Sequence, residues 1–247
     1  MSKQVALVTG GLGGLGTAVC RRLHQEGFLV AATCSPSNGQ RHAWLSAQRD
    51  EGVDVLVVEA DVADDGACAN AVARVLAETG RIDVLVNNAG ITRDRSLRKM
   101  AVDDWHAVLG TNLDSVFSMT RHVLEQMIER RWGRVINISS VNGQQGAFGQ
   151  ANYAAAKAGM HGFTKALALE VARHGITVNT VSPGYLDTRM VRDVPPQVMK
   201  ERILPGIPVG RLGAPDEVAG LVAYLASEGA GYVTGANIAI NGGQHMC

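Results

Sequence analysis

Three residues near the middle of the chain, Ser140, Tyr153 and Lys157, have the chemistry of a proton-transfer site. Tyr153 and Lys157 are four positions apart, so a helix presents both on one face. The pKa of a tyrosine hydroxyl is normally about 10. An ammonium group one turn away stabilises the phenolate, so we expect Lys157 to lower that pKa and allow proton transfer near neutral pH. The alternative is a surface pair on an amphipathic helix.

Ser140 favours the proton-transfer interpretation because it follows a predicted strand, the apolar and β-branched segment 134–138. Active sites of open α/β sheets gather at the carboxyl ends of such strands. A serine hydroxyl there can donate a hydrogen bond to a carbonyl oxygen beside the tyrosine. No histidine–aspartate pair adjoins Ser140 in the sequence to make it a nucleophile, so we expect it to polarise a substrate.

Short apolar segments alternate with longer helical patterns along the chain. The predicted strands are 4–9, 29–33, 55–59, 84–87, 134–138, 177–181 and 237–240. The helical patterns include 14–26, 64–79, 103–131, 153–174 and 215–226. Apolar strands separated by helices indicate a parallel sheet that is buried on both faces. The sequence therefore predicts one α/β domain, 1–247: a Rossmann-like, doubly wound, seven-stranded parallel sheet with helices on both faces.

The segment 187–213 interrupts this alternation with several prolines and no predicted strand. A long excursion of this kind is uncommon unless it has a function. Ligands of such sheets bind outside the carboxyl ends of the strands, where this excursion begins. We therefore expect it to form a substrate lid.

A glycine-rich segment joins the first predicted strand to the first predicted helix. Its glycines are Gly10, Gly11, Gly13, Gly14 and Gly16. Glycines permit a tight turn and a close approach of backbone N–H groups to a pyrophosphate, and the following helix N-terminus favours an anion. The alternative is a tight turn with no ligand. The position after a first strand favours a dinucleotide.

The end of the second predicted strand distinguishes NAD from NADP. A carboxylate about 20 residues after the glycines usually accepts the ribose 2′-hydroxyl of NAD. Here the segment holds Ser35 and Arg41, and the next carboxylate along the chain is Asp50. A hydroxyl and a guanidinium suit a 2′-phosphate, so the sequence predicts NADPH. The alternative is that Arg41 is a solvated residue at a helix start.

The overall composition excludes several other classes of protein. The chain has 247 residues and a formal net charge of zero, which gives no support to nucleic-acid binding. No apolar run approaches the roughly 20 residues of a membrane span, and the start of the chain lacks a signal-peptide pattern. Four scattered cysteines show no zinc spacing. We expect a cytoplasmic protein with free thiols and no metal.

Together these motifs resemble those of the short-chain dehydrogenase/reductase family, in order and over the whole chain. The resemblance rests on TGGLGGLG (9–16), NNAG (87–90), Asn112, Ser140, YAAAK (153–157) and Pro183–Gly184. It implies that Tyr153 is the general acid and that Lys157 tunes it and holds the nicotinamide ribose. It also implies that Ser140 orients the substrate carbonyl, and that Asn112 bends its helix and holds a water leading to Lys157.

The same resemblance implies a set of cofactor contacts along the carboxyl edge of the sheet. The adenine would meet Asp61 and Val62, and the nicotinamide would lie beside Pro183, Gly184 and Thr188. The complete expected cofactor set is Gly10, Gly11, Gly13, Gly14, Leu15, Gly16, Ser35, Arg41, Asp61, Val62, Asn88, Ala89, Gly90, Ile91, Thr92, Tyr153, Lys157, Pro183, Gly184 and Thr188.

Within the family, the sequence is most similar to the acetoacetyl-CoA reductases of polyhydroxyalkanoate synthesis. The likeness lies in NNAGITRDRSLRKM, in NISSVNGQQGAFGQANYAAAKAG, in TVNTVSPGY and in the tail NGGQHM. It implies hydride transfer from NADPH to acetoacetyl-CoA, giving (R)-3-hydroxybutyryl-CoA for polyhydroxybutyrate synthesis. The residues expected around this substrate are Asp94, Ser140, Phe148, Gln150 and Tyr185.

Two alternative functions share this scaffold. The first is 3-oxoacyl-[acyl-carrier-protein] reductase of fatty-acid synthesis, which has the same chemistry. The basic segment 93–99 fits CoA phosphates, the acidic surface of a carrier protein or a solvated loop. The second is a non-catalytic, cofactor-binding regulator. Such a protein is expected to have lost Ser140, Tyr153 or Lys157, and this chain keeps all three.

The helix that follows Tyr153 is expected to take part in subunit association. Its residues are small and apolar over more than one face, which exceeds what a single sheet covers. The family resemblance implies a homotetramer built on such helices. The alternative is burial against the sheet alone.

Overall fold

A computed structural model describes residues 3–188, 191 and 196–246 of the chain. Its strands form one parallel sheet in the order β3-β2-β1-β4-β5-β6-β7. The strands are β1 Val5–Val8, β2 Leu29–Cys34, β3 Val55–Glu59, β4 Val84–Asn87, β5 Gly133–Ile138, β6 Ile176–Pro183 and β7 Asn237–Ile240. The predicted fold class, an α/β sheet of seven parallel strands, is confirmed.

Helices connect successive strands and lie around the sheet. The first seven are α1 Gly14–Gln25, α2 Arg41–Asp50, α3 Asp65–Thr79, α4 Val102–Leu109, α5 Ser115–Arg130, α6 Val141–Gln145 and α7 Ala151–Val171. The last long helix spans Pro215–Ala226. None of the helices among the described residues is both long enough and apolar enough to cross a membrane.

The strands are continuously apolar because both faces of the sheet are covered. In β1, Val5 and Leu7 belong to the core cluster beneath α3, α5 and α7. Ala6 and Val8 belong to the cluster beneath α1 and the last long helix. Successive strand residues point to opposite faces, so one four-residue strand contributes to both cores. These two cores fix the sheet on which the candidate site is built.

Two elements differ from the sequence prediction. Helix α2 was not among the helices predicted from the pattern, because its residues are mostly polar and only Gln48 is buried. The pattern at 103–131 predicts one helix, but a π-turn at Gly110–Asp114 separates α4 from α5. The π-turn contains Asn112, and its expected role in bending the helix stays a prediction.

The ends of the predicted lid, 187–213, are tied together at the carboxyl edge of the sheet. Leu186 and Gly213 form a parallel bridge, and the Asp187 N–H donates to the Gly213 carbonyl at 2.8 Å. Between these ends, residues 196–206 form short helical turns. Residues 189–190 and 192–195 lie outside the described residues, so closure over a substrate remains a prediction.

Candidate active site

Many of the candidate residues gather at the carboxyl edge of the sheet because they follow a strand. The glycine-rich turn follows β1, Ser35 follows β2 and Asp61 follows β3. Ser140 follows β5, and Gly184 follows β6. The strand order reverses at β1, which has β2 on one side and β4 on the other. A crevice at such a reversal is where open α/β sheets bind their ligands.

Three consecutive residues, Ile138, Ser139 and Ser140, hold the tyrosine and lysine of α7. The Lys157 ammonium donates to the Ile138 carbonyl at 2.7 Å, and the Ser139 hydroxyl donates to the Lys157 carbonyl at 2.8 Å. Ser140 and Tyr153 share a side-chain hydrogen bond. The Lys157 Nζ lies 5.6 Å from the centre of the Tyr153 ring. The serine, tyrosine and lysine that the sequence singles out therefore converge.

Ser140 is also the N-cap of α6, and its hydroxyl oxygen accepts from the Asn142 N–H at 3.1 Å. This contact fixes the side chain and uses one of its lone pairs. The hydroxyl hydrogen remains available to Tyr153 or to a substrate oxygen. Ser140 can therefore act as a positioned hydrogen-bond donor.

The expected lowering of the Tyr153 pKa is wrong for this structure. Burial raises the pKa of the Tyr153 hydroxyl, the hydrogen bond from Ser140 lowers it, and the Asp94 carboxylate raises it further. The net shift is upward because desolvation disfavours the phenolate more than a single hydroxyl donor favours it. The protonated phenol is thus the stable form, as a proton donor requires.

Lys157 explains why the tyrosine gains so little from its neighbour. The side chain is only 3% exposed, and burial lowers the pKa of its ammonium to about 7. The described structure provides this ammonium with a carbonyl partner at Ile138. Since a buried cation is strongly disfavoured, Lys157 exchanges its own proton near neutral pH.

Asn112 is fully buried and fixes the turn that follows β4. Its amide oxygen accepts from the Ile91 N–H at 2.8 Å, and its amide nitrogen donates to the Ile91 carbonyl at 2.9 Å. A Cβ built on Gly90 would lie 3.3 Å from the Asn112 Oδ1 and 3.6 Å from the Lys157 Nζ. Asn112 and Lys157 therefore both approach the Gly90 position, and the water held between them stays a prediction.

The glycine-rich turn divides into packed glycines and open ones. A Cβ on Gly16 would lie 2.4 Å from the Gly10 carbonyl oxygen, and one on Gly11 would lie 2.6 Å from the Ala32 Cβ. A Cβ on Gly13 meets nothing nearer than 3.4 Å. Gly13 and Gly14 are exposed at the start of α1. The Gly13 N–H donates to the Gly10 carbonyl at 3.1 Å, and the two exposed glycines let a ligand approach the backbone at this helix N-terminus, which fits a pyrophosphate.

The loop after β4 supports the glycine-rich turn directly. Thr9 Oγ1 accepts from the N–H groups of Asn88 and Ala89 at 2.9 and 3.0 Å. The Asn88 amide in turn donates to the carbonyls of Thr9 and Gly10 at 2.9 and 3.2 Å. The Asn88 side chain is thus used to join the two loops that border the crevice.

The predicted NADP determinant contains a carboxylate that linear sequence reading missed. The Arg41 guanidinium pairs with the Glu59 carboxylate, which lies at the end of β3. Glu59 is the register partner of Cys34, immediately before Ser35. The Ser35 hydroxyl bonds that of Ser37 at 2.8 Å. The expectation that a 2′-phosphate would meet only a hydroxyl and a guanidinium is therefore incomplete.

The remaining expected cofactor residues border the same edge. Asp61 is exposed and accepts from the Ala63 N–H at 3.0 Å, whereas Val62 is buried. Pro183 ends β6, and a Cβ on Gly184 would lie 2.3 Å from the Gln244 Oε1. Residues at the crevice that are partly exposed are Leu15, Ile91, Thr92 and Thr188. The Thr188 side chain lies 3.2 Å from the Cβ position of Gly14, so it reaches the glycine-rich turn.

Two of the expected substrate residues, Asp94 and Gln150, are joined by hydrogen bonds to Asn142 of α6. The Gln150 amide donates to the Asp94 carboxylate at 2.8 Å, and the Asn142 amide donates to the Gln150 oxygen at 2.9 Å. Tyr185 is partly exposed, and its N–H donates to the Gln244 side chain at 3.0 Å. Phe148 is 97% exposed in the part of the chain that the structure describes.

The structure adds positions that sequence reasoning missed. Ser139 and Glu59 were overlooked because their contacts come from other elements. Asn152 of α7 is fully buried and donates to the Arg93 and Asp104 carbonyls at 3.1 and 3.3 Å. These bonds hold the basic segment 93–99 and α4 against the start of α7. The sequence signal for Ser139 was the pair of serines in NISS (137–140), which comes before the helix that contains Lys157.

The fold and the residues at its carboxyl edge define an α/β oxidoreductase that uses a nicotinamide dinucleotide. A sequence profile described as short chain dehydrogenase matches residues 4–198. The chain belongs to the short-chain dehydrogenase family, as its motifs predicted.

Curated relatives match the chain over nearly its whole length. It is 52% identical over 246 residues to acetoacetyl-CoA reductase of Cupriavidus necator, covering 100% of both chains. It is 51% identical over 244 residues to acetoacetyl-CoA reductase of Allochromatium vinosum, covering 98% of this chain and 99% of the relative. It is 45% identical over 245 residues to 3-oxoacyl-[acyl-carrier-protein] reductase of Pseudomonas aeruginosa, covering 98% of each.

Proposed function

We propose that this protein reduces the 3-keto group of acetoacetyl-CoA with NADPH and forms (R)-3-hydroxybutyryl-CoA for polyhydroxybutyrate synthesis. The observation that carries the proposal is the convergence of Ser140, Tyr153 and Lys157 on the end of β5. The whole-chain likeness to acetoacetyl-CoA reductases supports the choice of substrate.

When bound, NADPH supplies a hydride to the keto carbon. Tyr153, whose burial keeps the phenol protonated, donates its proton to the keto oxygen. Ser140 donates a hydrogen bond to the same oxygen and stabilises the charge that develops there. Lys157, with a pKa of about 7, is suited to return a proton to Tyr153 and to hold the nicotinamide ribose. Asn112 supports this relay through a water beside Lys157.

The proposed preference for NADPH depends on Ser35 and Arg41. Arg41 is partly exposed at the start of α2, and the open glycines lie on the same edge of the sheet. A guanidinium forms strong, charge-assisted hydrogen bonds with a phosphate. Because Arg41 pairs with Glu59, the 2′-phosphate has to compete with that carboxylate.

Initial-rate kinetics with NADPH and NADH across 3-ketoacyl-CoA chain lengths test the proposal. We expect acetoacetyl-CoA with NADPH to give the highest kcat/KM. A folded, NADPH-binding protein that reduces no 3-ketoacyl-CoA would contradict the proposed function. It would favour the non-catalytic regulator.

The second candidate function is reduction of 3-oxoacyl groups carried on acyl carrier protein. The observation that favours it is the basic segment 93–99, whose exposed residues include Arg93, Arg95, Arg98 and Lys99. Its charge suits either CoA phosphates or an acidic carrier surface. Comparison of kcat/KM for the two thioesters separates the functions. A strong preference for the carrier protein would exclude our first choice.

The proposal includes a cytoplasmic homotetramer. Helix α7 exposes a row of small residues: Ala151, Ala155, Ala158 and Gly162. The row continues to Leu169, which is 85% exposed, while Phe117 of α5 is 52% exposed. An apolar strip of this length on a helix favours a second copy of the chain as its cover.

A further inference from the structure

His161 lies one turn beyond Lys157 on α7, and no catalytic step described above involves it. Its Nε2 lies 3.0 Å from the Ser139 hydroxyl oxygen and 3.5 Å from that of Ser182. Ser139 directly follows β5 and Ser182 belongs to β6, so one imidazole links α7 to the end of β5 and to β6. Ser139 precedes Ser140 in the chain and donates to the Lys157 carbonyl, so these contacts adjoin the site formed by Ser140, Tyr153 and Lys157.

The directions of these hydrogen bonds follow from counting hydrogens. The Ser139 hydroxyl has a single hydrogen, and it donates this hydrogen to the Lys157 carbonyl at 2.8 Å. The Ser182 hydroxyl likewise donates to the Asn237 side chain at 2.7 Å. The His161 Nε2 must therefore carry a hydrogen and donate it. This assigns the Nε2–H tautomer, and the chain runs from the imidazole through Ser139 to Lys157.

A serine beside a histidine also suggests a nucleophile with its base, but this pair cannot have that role. Ser139 is 4% exposed, and Ser182 is fully buried, so neither hydroxyl reaches a substrate. The hydrogen of Ser139 is committed to a backbone carbonyl. Ser139 and His161 therefore hold α7 against the sheet and do not react with a substrate.

We propose that His161 is a positioning residue for the reductase, and that it acts through Ser139 to set the depth of Lys157 and the alignment of Tyr153 with Ser140. Lys157 is held at both ends by consecutive residues, its ammonium by Ile138 and its carbonyl by Ser139. Without the imidazole donor, the Ser139 side chain is held to α7 only by its own donation to the Lys157 carbonyl, and α7 can then shift along β5. A small misplacement of a catalytic group costs rate more than affinity. The inference rests on the proposed function.

Two substitutions of His161 separate donation from packing. His161→Leu keeps apolar volume and removes the donor, whereas His161→Gln keeps an N–H donor in a side chain of similar length. We expect kcat to fall by roughly tenfold to 100-fold in the leucine variant and to recover largely in the glutamine variant. The dissociation constant for NADPH, measured by fluorescence titration, should change much less than kcat. If the leucine variant kept the parent kcat or exceeded the glutamine variant, packing alone would explain His161.

A double variant tests the route through Ser139. Ser139→Ala should lower kcat like His161→Leu, and the double variant should be no slower than the slower single one, since both break one chain. His24→Leu, at the far end of α1, is the matched control and should keep the parent kcat. If His161→Leu does not fold, the Ser139→Ala variant tests the proposal by itself. A Ser139→Ala variant with the parent kcat would overturn it. An inactive wild-type protein would instead overturn the proposed function.

The tautomer provides a readout that is independent of activity. Long-range nitrogen-15 spectra of the wild-type protein should show a neutral His161 ring protonated at Nε2. An Nδ1–H tautomer would overturn the hydrogen-bond chain, whatever the kinetics of the variants. Ser139→Ala should change the Nε2 shift.

Discussion

Tyr153 owes its readiness as a proton donor to burial and not to its lysine neighbour. Desolvation raises the pKa of the phenol, and Lys157 is itself so buried that the pKa of its ammonium falls to about 7. The two groups are therefore poised for successive proton transfers: the phenol holds its proton, and the amine exchanges its proton readily.

Replacing Tyr153 by Phe removes the proton donor and keeps the ring. We expect kcat for NADPH-dependent reduction of acetoacetyl-CoA to fall by roughly 10²- to 10⁴-fold, the usual contribution of general acid–base catalysis. Binding of NADPH, measured by fluorescence, and the melting temperature should stay close to those of the parent. Tyr232→Phe, at a fully exposed tyrosine, is the control. Parent-like turnover in Tyr153→Phe would refute the catalytic assignment.

The lowered pKa of Lys157 makes stability depend on pH. Between about pH 7 and the unfolded-state value of 10.5, the unfolded chain binds more protons at this residue than the folded chain does. Stability therefore rises with pH across this window, and the cost of the buried charge is fully present below it. Urea unfolding at pH 7 and pH ~9.5 should show the wild type gaining stability relative to Lys157→Met. A gap that does not change with pH would contradict the lowered pKa.

Cofactor choice should respond in opposite directions to changes at Arg41 and Glu59. Arg41→Ala removes a charged hydrogen bond to the 2′-phosphate and should raise KM for NADPH by roughly tenfold to 100-fold, with little effect on NADH. Glu59→Gln removes the competing carboxylate and should lower KM for NADPH. Arg49→Ala, on the exposed end of the same helix, is the control. Equal effects on both cofactors would remove Arg41 from the 2′-phosphate site.

At the scale of elements, the glycine-rich turn illustrates how one motif serves two purposes. Gly16 lets α1 pack against the turn, since its Cβ position lies 2.4 Å from the Gly10 carbonyl oxygen. A Cβ on Gly13 would lie 3.4 Å from the Gly10 carbonyl oxygen, an ordinary contact, so the fold does not require glycine there. Gly16 therefore serves the fold, and Gly13 is available to a ligand.

Alanine substitutions at these two glycines should therefore separate stability from cofactor binding. Gly16→Ala should lower the melting temperature and cofactor affinity together, because the added methyl group displaces the backbone. Gly13→Ala should leave the melting temperature unchanged and still raise the dissociation constant for NADPH. Calorimetry and fluorescence titration measure the two effects. If Gly13→Ala bound NADPH like the parent, the pyrophosphate could not approach at Gly13.

At the scale of the whole molecule, both faces of the sheet carry a core, but the outer face of α7 is exposed among the residues that the structure describes. Leu169 at the end of this face is 85% exposed, and the small residues before it leave room for the helix of a second copy. The proposed homotetramer covers this strip. The catalytic helix would then be stabilised from both sides.

Leu169→Glu introduces a charge into the proposed interface. We expect a smaller assembly by light scattering, together with a lower melting temperature, because an unpaired charge disfavours an apolar contact. Val102→Glu, at an exposed apolar position that starts α4, is the control and should keep the parent mass. A Leu169→Glu variant of unchanged mass would show that this end of α7 lies outside the interface.

The sequence by itself determined the seven strands of the sheet and the identity of the serine, tyrosine and lysine. These features are local, since strands buried on both faces are continuously apolar, and motif spacing places residues on known ends of strands and helices. The same local reading missed α2, whose polar residues carry little periodic signal, and the π-turn at Asn112.

Only the tertiary structure decided the electrostatics and the supporting contacts. The direction of the Tyr153 pKa shift depends on how deeply Tyr153 and Lys157 are buried, which the distance between them along the chain does not reveal. Glu59 meets Arg41 because β2 and β3 are neighbours, and His161 meets Ser139 because α7 packs on β5. Such contacts join residues far apart in the chain, so their energies exist only once the sheet has formed.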